Sequence, residues 1–316
     1  MNVLFTGSSS FTGFWFIKKL ALAGHTVTAT FRGDPERYDG IRKRRVERVL
    51  DLCDCRFDCS FGSDVFLDVV RADGPFDLLC HHAADVKDHK SPEFDALRAA
   101  QNNTQNLPAL LTVLLDRSCA HVLLTGSVFE QDEGAGSCTA ALSPYGLSKG
   151  LTAQYFAYYC RRAGVSLSKF VIPNPFGPFE EPRFTSYLAR AWLGGEIARV
   201  ATPDYVRDNI PVSLLASAYA TFATEIMTKP GDHRLDPSGY RETQGEFTRR
   251  VARELEPHLG VPCPFELGEQ TDFDESMVRT NTTPVLERED LGWNEEEFWK
   301  ELGGYYLSTL STCAQR

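Results

Sequence analysis

No run of the 316-residue chain is apolar for the roughly twenty residues needed to cross a bilayer, so a membrane-spanning helix is excluded. The opening residues place Gly7 and three serines before an apolar stretch and Lys18-Lys19 after it. That is the wrong order for a secretory signal. Positive charge is also in short supply. The 33 Lys and Arg against 43 Asp and Glu leave a net charge of −10, which excludes non-specific nucleic-acid binding and permits only a local basic pocket. The one basic cluster, Arg42-Lys43-Arg44-Arg45, reads as the solvated face of a short helix. Paired C-x-x-C elements are missing, although there are nine cysteines and Cys53, Cys55 and Cys59 lie close together. No metal centre is expected, and the cysteines read as reduced thiols of a cytoplasmic protein. Internal repeats and low-complexity segments are absent as well.

What is present is alternation. Asn2–Phe5 reads as a strand, Phe11–Ala23 as a helix and Thr26–Phe31 as a β-branched strand. Val46–Leu50 reads as a third strand, Asp64–Arg71 as a short helix and Phe76–His82 as a strand. Pro92–Arg117 reads as one long helix, His121–Thr125 as a strand, Pro144–Ala163 as a long helix and Val165–Ile172 as a strand. Strands separated by helices imply βαβ units and a parallel sheet covered on both faces. After Asn174 prolines crowd the chain and the elements become shorter and mixed. Trp192, Tyr205, Phe222 and Trp293 supply aromatics for a second, smaller lobe. The expected architecture is α/β, a Rossmann-type doubly wound sheet over 1–173 with a mixed lobe over 174–316, part of which returns to the sheet.

The first strand–turn–helix carries "TGSSSFTG". Gly7 suits a tight turn and Gly13 close packing of helix on sheet, so the backbone of Gly7, Ser9, Ser10, Phe11, Thr12 and Gly13 can cradle a pyrophosphate at a helix N-terminus. Ser10 stands where a middle glycine is expected. A second strand ends in His81-His82-Ala83-Ala84, whose small residues let a cofactor lie against the chain. A third ends with the hydroxyl of Thr125. "SPYGLSK" then sets Tyr145 and Lys149 at i and i+4, on one helix face.

In this order TGSSSFTG, HHAA, the strand-end Thr, YGLSK and NPFGP resemble the extended short-chain dehydrogenase/reductase family, in its nucleotide-sugar epimerase and dehydratase branch. "YVRDNIPVSLLASAY" and "REDLGW" resemble later landmarks of the same branch, so the likeness spans nearly the whole chain. It implies a catalytic set of Thr125, Tyr145 and Lys149. A free phenol titrates near about 10, and a neighbouring ammonium and an oxidised nicotinamide favour its phenolate. Tyr145 then takes a proton from a sugar hydroxyl while hydride leaves the carbon. Thr125 hydrogen-bonds the same oxygen, with Ser127 as the alternative hydroxyl.

By the same resemblance, His82, Ala83, Ala84, Tyr145 and Lys149 border the cofactor, and Asp51-Leu52 sit beside the adenine after the third strand. Arg32 stands at the end of the second strand, where NAD-preferring relatives have an acid. A guanidinium suits a 2′-phosphate, so NADP is expected ahead of NAD. Asn174 and Arg207 match positions that contact the substrate diphosphate, and Arg279 is a further phosphate candidate, which makes a nucleotide sugar the expected partner. The departures are Ser10, Val171 where relatives carry an Arg, and "AAQNNTQNL", where the family's cofactor-contacting Asn has no clear counterpart. His81 reads equally as a pocket residue and as a buried structural one.

Gly126-Ser127 follow Thr125 where 4,6-dehydratases place an Asp-Glu pair, which disfavours water elimination. The leading reading is a nucleotide-sugar epimerase acting by transient oxidation of a ring hydroxyl. The alternative is an NADPH-dependent reductase of a nucleotide-linked 4-keto-sugar, and a non-catalytic dinucleotide sensor ranks below both. The resemblance also implies a homodimer built on Pro92–Arg117 and Pro144–Ala163.

Overall fold

The protein is described by a computed structural model covering residues 1–89, 91–135, 139–273 and 275–310. It divides into two compact units. The first holds Met1–Glu133, Ser137–Ile172 and Ala216–Asp236; the second holds Gly134–Gly136, Pro173–Leu215 and Pro237–Arg316.

The first unit alternates β1 (Asn2–Thr6), α1 (Phe11–Leu22), β2 (Thr26–Thr30), α2 (Gly40–Leu50), β3 (Asp54–Arg56), α3 (Asp64–Asp73) and β4 (Leu78–His81). It continues through α4 (Ala96–Asn103), α5 (Leu107–Asp116), β5 (His121–Ser127), α6 (Pro144–Ala163) and β6 (Ser166–Ile172). In the second unit follow β7 (Asn174–Phe176), α7 (Phe184–Leu193), β8 (Ala198–Val200) and β9 (Val206–Pro211). Next come α8 (Val212–Thr228), which belongs to the first unit from Ala216 onward, and β10 (Arg234–Leu235). The remaining elements are β11 (Pro237–Ser238), β12 (Tyr240–Thr243), α9 (Gln244–Leu259), β13 (Phe265–Leu267), β14 (Val278–Arg279), β15 (Thr283–Pro284) and α10 (Glu295–Leu310).

Seven strands form the first unit's sheet in the order β10-β6-β5-β4-β1-β2-β3, and all their pairings are parallel. Strand order reverses between β4 and β1, the switch point at which doubly wound sheets bind ligands beyond their carboxyl ends. One face buries Leu4, Leu79, Val122 and Leu124 with Phe66, Leu110, Leu114 and Phe156. Against the other, Phe16 stacks on Tyr219 at 4.0 Å and meets Phe170 edge-on at 5.7 Å. Each such buried side chain contributes about 1.5–3 kcal/mol, which fixes the register of a sheet hidden on both faces.

The local signals behind α6 are clear. Ser143 accepts from the Gly146 amide, Pro144 stands in the first turn, and Gly164 ends the helix in a left-handed conformation. Three expectations fail. Val46–Leu50 is the last part of α2, because Val46 and Val49 fall on one buried helical face. Pro92–Arg117 is two helices, broken where Asn106 takes φ 51° ahead of Pro108. Arg45 is fully buried, so the basic run is not uniformly solvated. The second unit packs Phe176, Leu188, Trp192, Phe247, Leu255, Phe298 and Trp299 in a core of its own. Its largest sheet joins β12, β9, β14 and β7.

No described helix is long and apolar enough to span a membrane. Seven described cysteines are unpaired thiols, while Cys138 and Cys313 lie outside the described residues. Among the described residues no cluster of His, Cys, Asp and Glu could hold a metal ion.

Candidate active site

The turn between β1 and α1 sits directly on the end of β4. Gly7 has φ 80°, and a Cβ there would lie 2.8 Å from the Ala83 nitrogen. At Gly13 a Cβ would meet the Gly7 carbonyl oxygen at 2.4 Å. Neither position admits a side chain without backbone movement, so the turn packs tightly on the end of β4 at the N-terminus of α1. Ser10 is not aimed outward as an altered phosphate contact. Its hydroxyl donates to the Gly7 carbonyl at 2.8 Å and its oxygen accepts from the Gly13 amide at 3.0 Å, capping α1. The donor set and the bare cradle fit a dinucleotide pyrophosphate.

Beside the turn, the Thr6 hydroxyl oxygen accepts from the amides of His82 and Ala83 at 3.1 and 3.0 Å. His82 reaches in three directions. Its Nε2 lies 3.0 Å from both Ser10 Oγ and Thr12 Oγ1, and its Nδ1 lies 3.1 Å from Thr125 Oγ1. Burial, with Lys149's charge adding to it, pushes the His82 pKa down to about 3, so the ring is neutral. His81 points the other way. It contacts Thr6 Oγ1 and the Asn103 carbonyl, and lies between Phe61 and Phe156 at 4.0 and 5.0 Å. It is a structural histidine.

Lys149 is 4% exposed and donates from Nζ to the Thr125 carbonyl oxygen at 2.5 Å. Burial lowers its pKa to about 8; Glu130 opposes that shift and Lys169 reinforces it. Tyr145 is one helical turn earlier on the same face of α6, with the rings of His89, Phe129 and Phe94 at 5.5, 6.3 and 6.4 Å. Helix α6 thus brings Lys149 onto Thr125. Below them, Lys169 Nζ bridges buried Glu130 and Glu133 at 2.6 and 2.7 Å, and Glu130 also accepts from the Ser127 amide.

Arg32 is exposed immediately beyond β2, and the preceding Phe31 stacks on Phe57 at 4.7 Å. Asp51 and Leu52 do not follow the third strand. They lie between α2 and β3, at the strand's amino end, because the run read as a strand is helix. The carboxyl end of β3 instead presents Phe57, Asp58 and Cys59, with Asp58 at φ 49° and the Cys59 amide bonded to the Phe31 carbonyl. Within AAQNNTQNL, Asn103 at the end of α4 accepts from the Asp85 amide and donates to Thr152 Oγ1.

The second unit places Asn174 opposite Asn209 and Arg207 opposite Arg279 in its sheet. Arg207 lies over the Tyr205 ring at 4.3 Å and donates to the carbonyls of Val206, Ser276 and Met277. Both arginines pair with Glu275 at 3.0 Å. Burial lowers the pKa of each, that of Arg279 to about 10 with help from Arg207's charge. Two nearly buried guanidinium groups therefore share one largely exposed carboxylate.

The model of the NAD dependent epimerase/dehydratase family matches residues 3–234. The chain belongs to this family. The resemblance noted in the motifs is to the same family, and so is the architecture. A UDP-glucose 4-epimerase of Thermotoga maritima, solved with UDP-glucose, is 19% identical with a TM-score of 0.70 over 98% of this chain and 100% of its own. The Brucella ovis UDP-glucose 4-epimerase in complex with NAD gives 18%, 0.72, and 98% of both chains. The Stenotrophomonas maltophila enzyme, with bound NAD and formylated UDP-arabinopyranose, gives 20%, 0.72, and 100% and 99%. At these identities the likeness is one of fold. No curated protein matches the chain.

Proposed function

We propose that this family member is a nucleotide-sugar epimerase that transiently oxidises a ring hydroxyl through Thr125, Tyr145 and Lys149. The observation that carries this reading is the buried Lys149 ammonium on the Thr125 carbonyl, with Tyr145 one turn away on the same helix.

Tyr145 moves the proton at the substrate oxygen. The positive charge of Lys149 favours the phenolate that accepts it, and Thr125 holds the oxygen in line. The dinucleotide, when bound at the turn, supplies the site that takes up hydride and returns it. The turn residues Gly7, Ser9, Ser10, Phe11, Thr12 and Gly13 hold its pyrophosphate, and His82, Ala83 and Ala84 border it. Asn174, Arg207 and Arg279 are assigned to the anionic part of the substrate, where a diphosphate competes with Glu275 for the paired guanidinium groups.

One observation favours a second reading. Arg32, exposed at the carboxyl end of β2 with no acid beside it in Phe31-Arg32-Gly33, suits a 2′-phosphate. NADP preference supports a reductase of a nucleotide-linked keto-sugar, in which the reduced cofactor is consumed. The protein as purified separates the two: retained dinucleotide, seen by absorbance, supports the epimerase. Net oxidation of NADPH only with a keto-sugar supports the reductase. Tyr145→Phe should lower turnover by about 10²-fold or more in either case. Full turnover by that variant would overturn both.

A further inference from the structure

The contacts of His82 are more ordered than a buried imidazole requires. Ser10 has one hydroxyl hydrogen, and it is directed to the Gly7 carbonyl at 2.8 Å. Toward His82 Nε2, at 3.0 Å, Ser10 can therefore only accept. That places the ring hydrogen on Nε2, shared between Ser10 and Thr12, and leaves Nδ1 as a bare acceptor. The Thr125 hydroxyl, 3.1 Å from Nδ1, then donates to it. The tautomer is assigned from these partners, and the ring stays neutral because burial disfavours the imidazolium. Phe5 and Phe16 hold the imidazole at ring-centroid distances of 5.7 and 5.2 Å.

We infer that His82 is a positioning residue, a neutral imidazole that sets the direction of the Thr125 hydroxyl according to what Ser10 and Thr12 of the dinucleotide turn offer at its far nitrogen. This rests on the proposed role of Thr125 in the reaction. In this arrangement Nε2–H donates to Ser10 and Thr12, Thr125 donates to Nδ1, and the Thr125 oxygen is left as an acceptor toward a substrate hydroxyl. Because both ends meet on one ring, rearrangement of the turn on binding dinucleotide can be felt at Thr125 with no residue moving far.

Three substitutions test this. His82→Phe keeps the ring contacts with Phe5 and Phe16 and removes both nitrogens. It should lower kcat by about 10–100-fold, the scale of a misaligned reacting group. His82→Asn, whose amide reaches the Nδ1 position, should restore part of that loss. In a Thr125→Val background, His82→Phe should cost less than about twofold further, since the hydroxyl it positions is gone. Equal losses with and without the Thr125 hydroxyl would overturn the inference. A second readout needs no activity. Nitrogen-15 NMR of the histidine ring should show the Nε2–H tautomer, and Thr125→Val should shift the Nδ1 resonance. An unmoved Nδ1 would overturn the inference outright. A moved Nδ1 without turnover of any nucleotide sugar upholds the positioning and overturns the reaction assignment.

Discussion

The ammonium of Lys149 is buried against the main-chain carbonyl of Thr125, Nζ to O 2.5 Å, so one contact joins the end of β5 to the face of α6 that carries Tyr145. A cation held in this way has lost most of its water, which is why its pKa falls to about 8. Its charge is then present below that pH and lost above it.

Stability runs the opposite way, rising as that charge is lost. The folded pKa lies below the ordinary value of 10.5, so between about pH 8 and 10.5 the unfolded chain binds more protons and stability rises with pH. Lys149→Met should melt higher relative to wild type at pH 7 than at pH 10. The gap between the two proteins should change by up to about 3 kcal/mol across that window. Paired denaturant titrations at both pH values measure it, and a gap independent of pH would refute the buried ammonium.

Activity should have an alkaline limb near pH 8 if Lys149 must be charged. Glu130 holds the Lys149 pKa up, so Glu130→Gln should move the limb of kcat/KM to lower pH. A limb that stays in place would assign it to another group.

Ser10→Gly should preserve dinucleotide affinity within about threefold and lower stability by only a few tenths of a kcal/mol, since glycine is itself an acceptable N-cap. Gly13→Ala should be far worse. Its methyl would press on the Gly7 carbonyl, costing about 1–3 kcal/mol and displacing the turn proposed to hold the dinucleotide. Calorimetry and dinucleotide titration of the two variants give the contrast.

Arg32→Ala should weaken NADP binding by about tenfold or more, as expected for a lost charge-assisted contact, and leave NAD nearly unchanged. Equal affinity of wild type for the two dinucleotides would remove the case for the reductase reading.

Glu180, buried in the second unit, accepts from Thr185 and Tyr306, and burial raises its pKa to about 7. Here the folded pKa lies above the unfolded one, so its contribution is present at low pH and is lost as pH rises through 7. Thermal unfolding of wild type should show that decline between pH 5 and 8. Glu180→Gln should flatten it.

The legible parts of the sequence were those with local punctuation. The turn at Gly7 and the Ser143-Pro144 start of α6 declare themselves within a few residues, and Tyr145 and Lys149 follow from helical spacing. Val46–Leu50 reads as a strand only on its β-branched composition; its apolar residues recur at i, i+3 and i+4, the helical period. That error moved the supposed adenine contacts to Asp51-Leu52, when the strand's carboxyl end lies at Phe57–Cys59. The link from His82 to Thr125 was not legible at all. The two are 43 residues apart and meet only because β4 pairs with β5.

The edge strand of the first unit's sheet has a consequence for how the protein is made. Strand β10 is parallel to β6, and the Asp232 side chain accepts from the Leu167 amide across 65 residues. Tyr219, which stacks on Phe16, likewise comes from α8. A nascent chain released as far as Ile172 has every strand of that sheet except its last, and one face still lacks its aromatic cover. The sheet must wait for residues 216–236 to leave the ribosome. During that interval it presents an open edge and bare aromatic surface, the moment at which the chain is most exposed to mispairing and to chaperones.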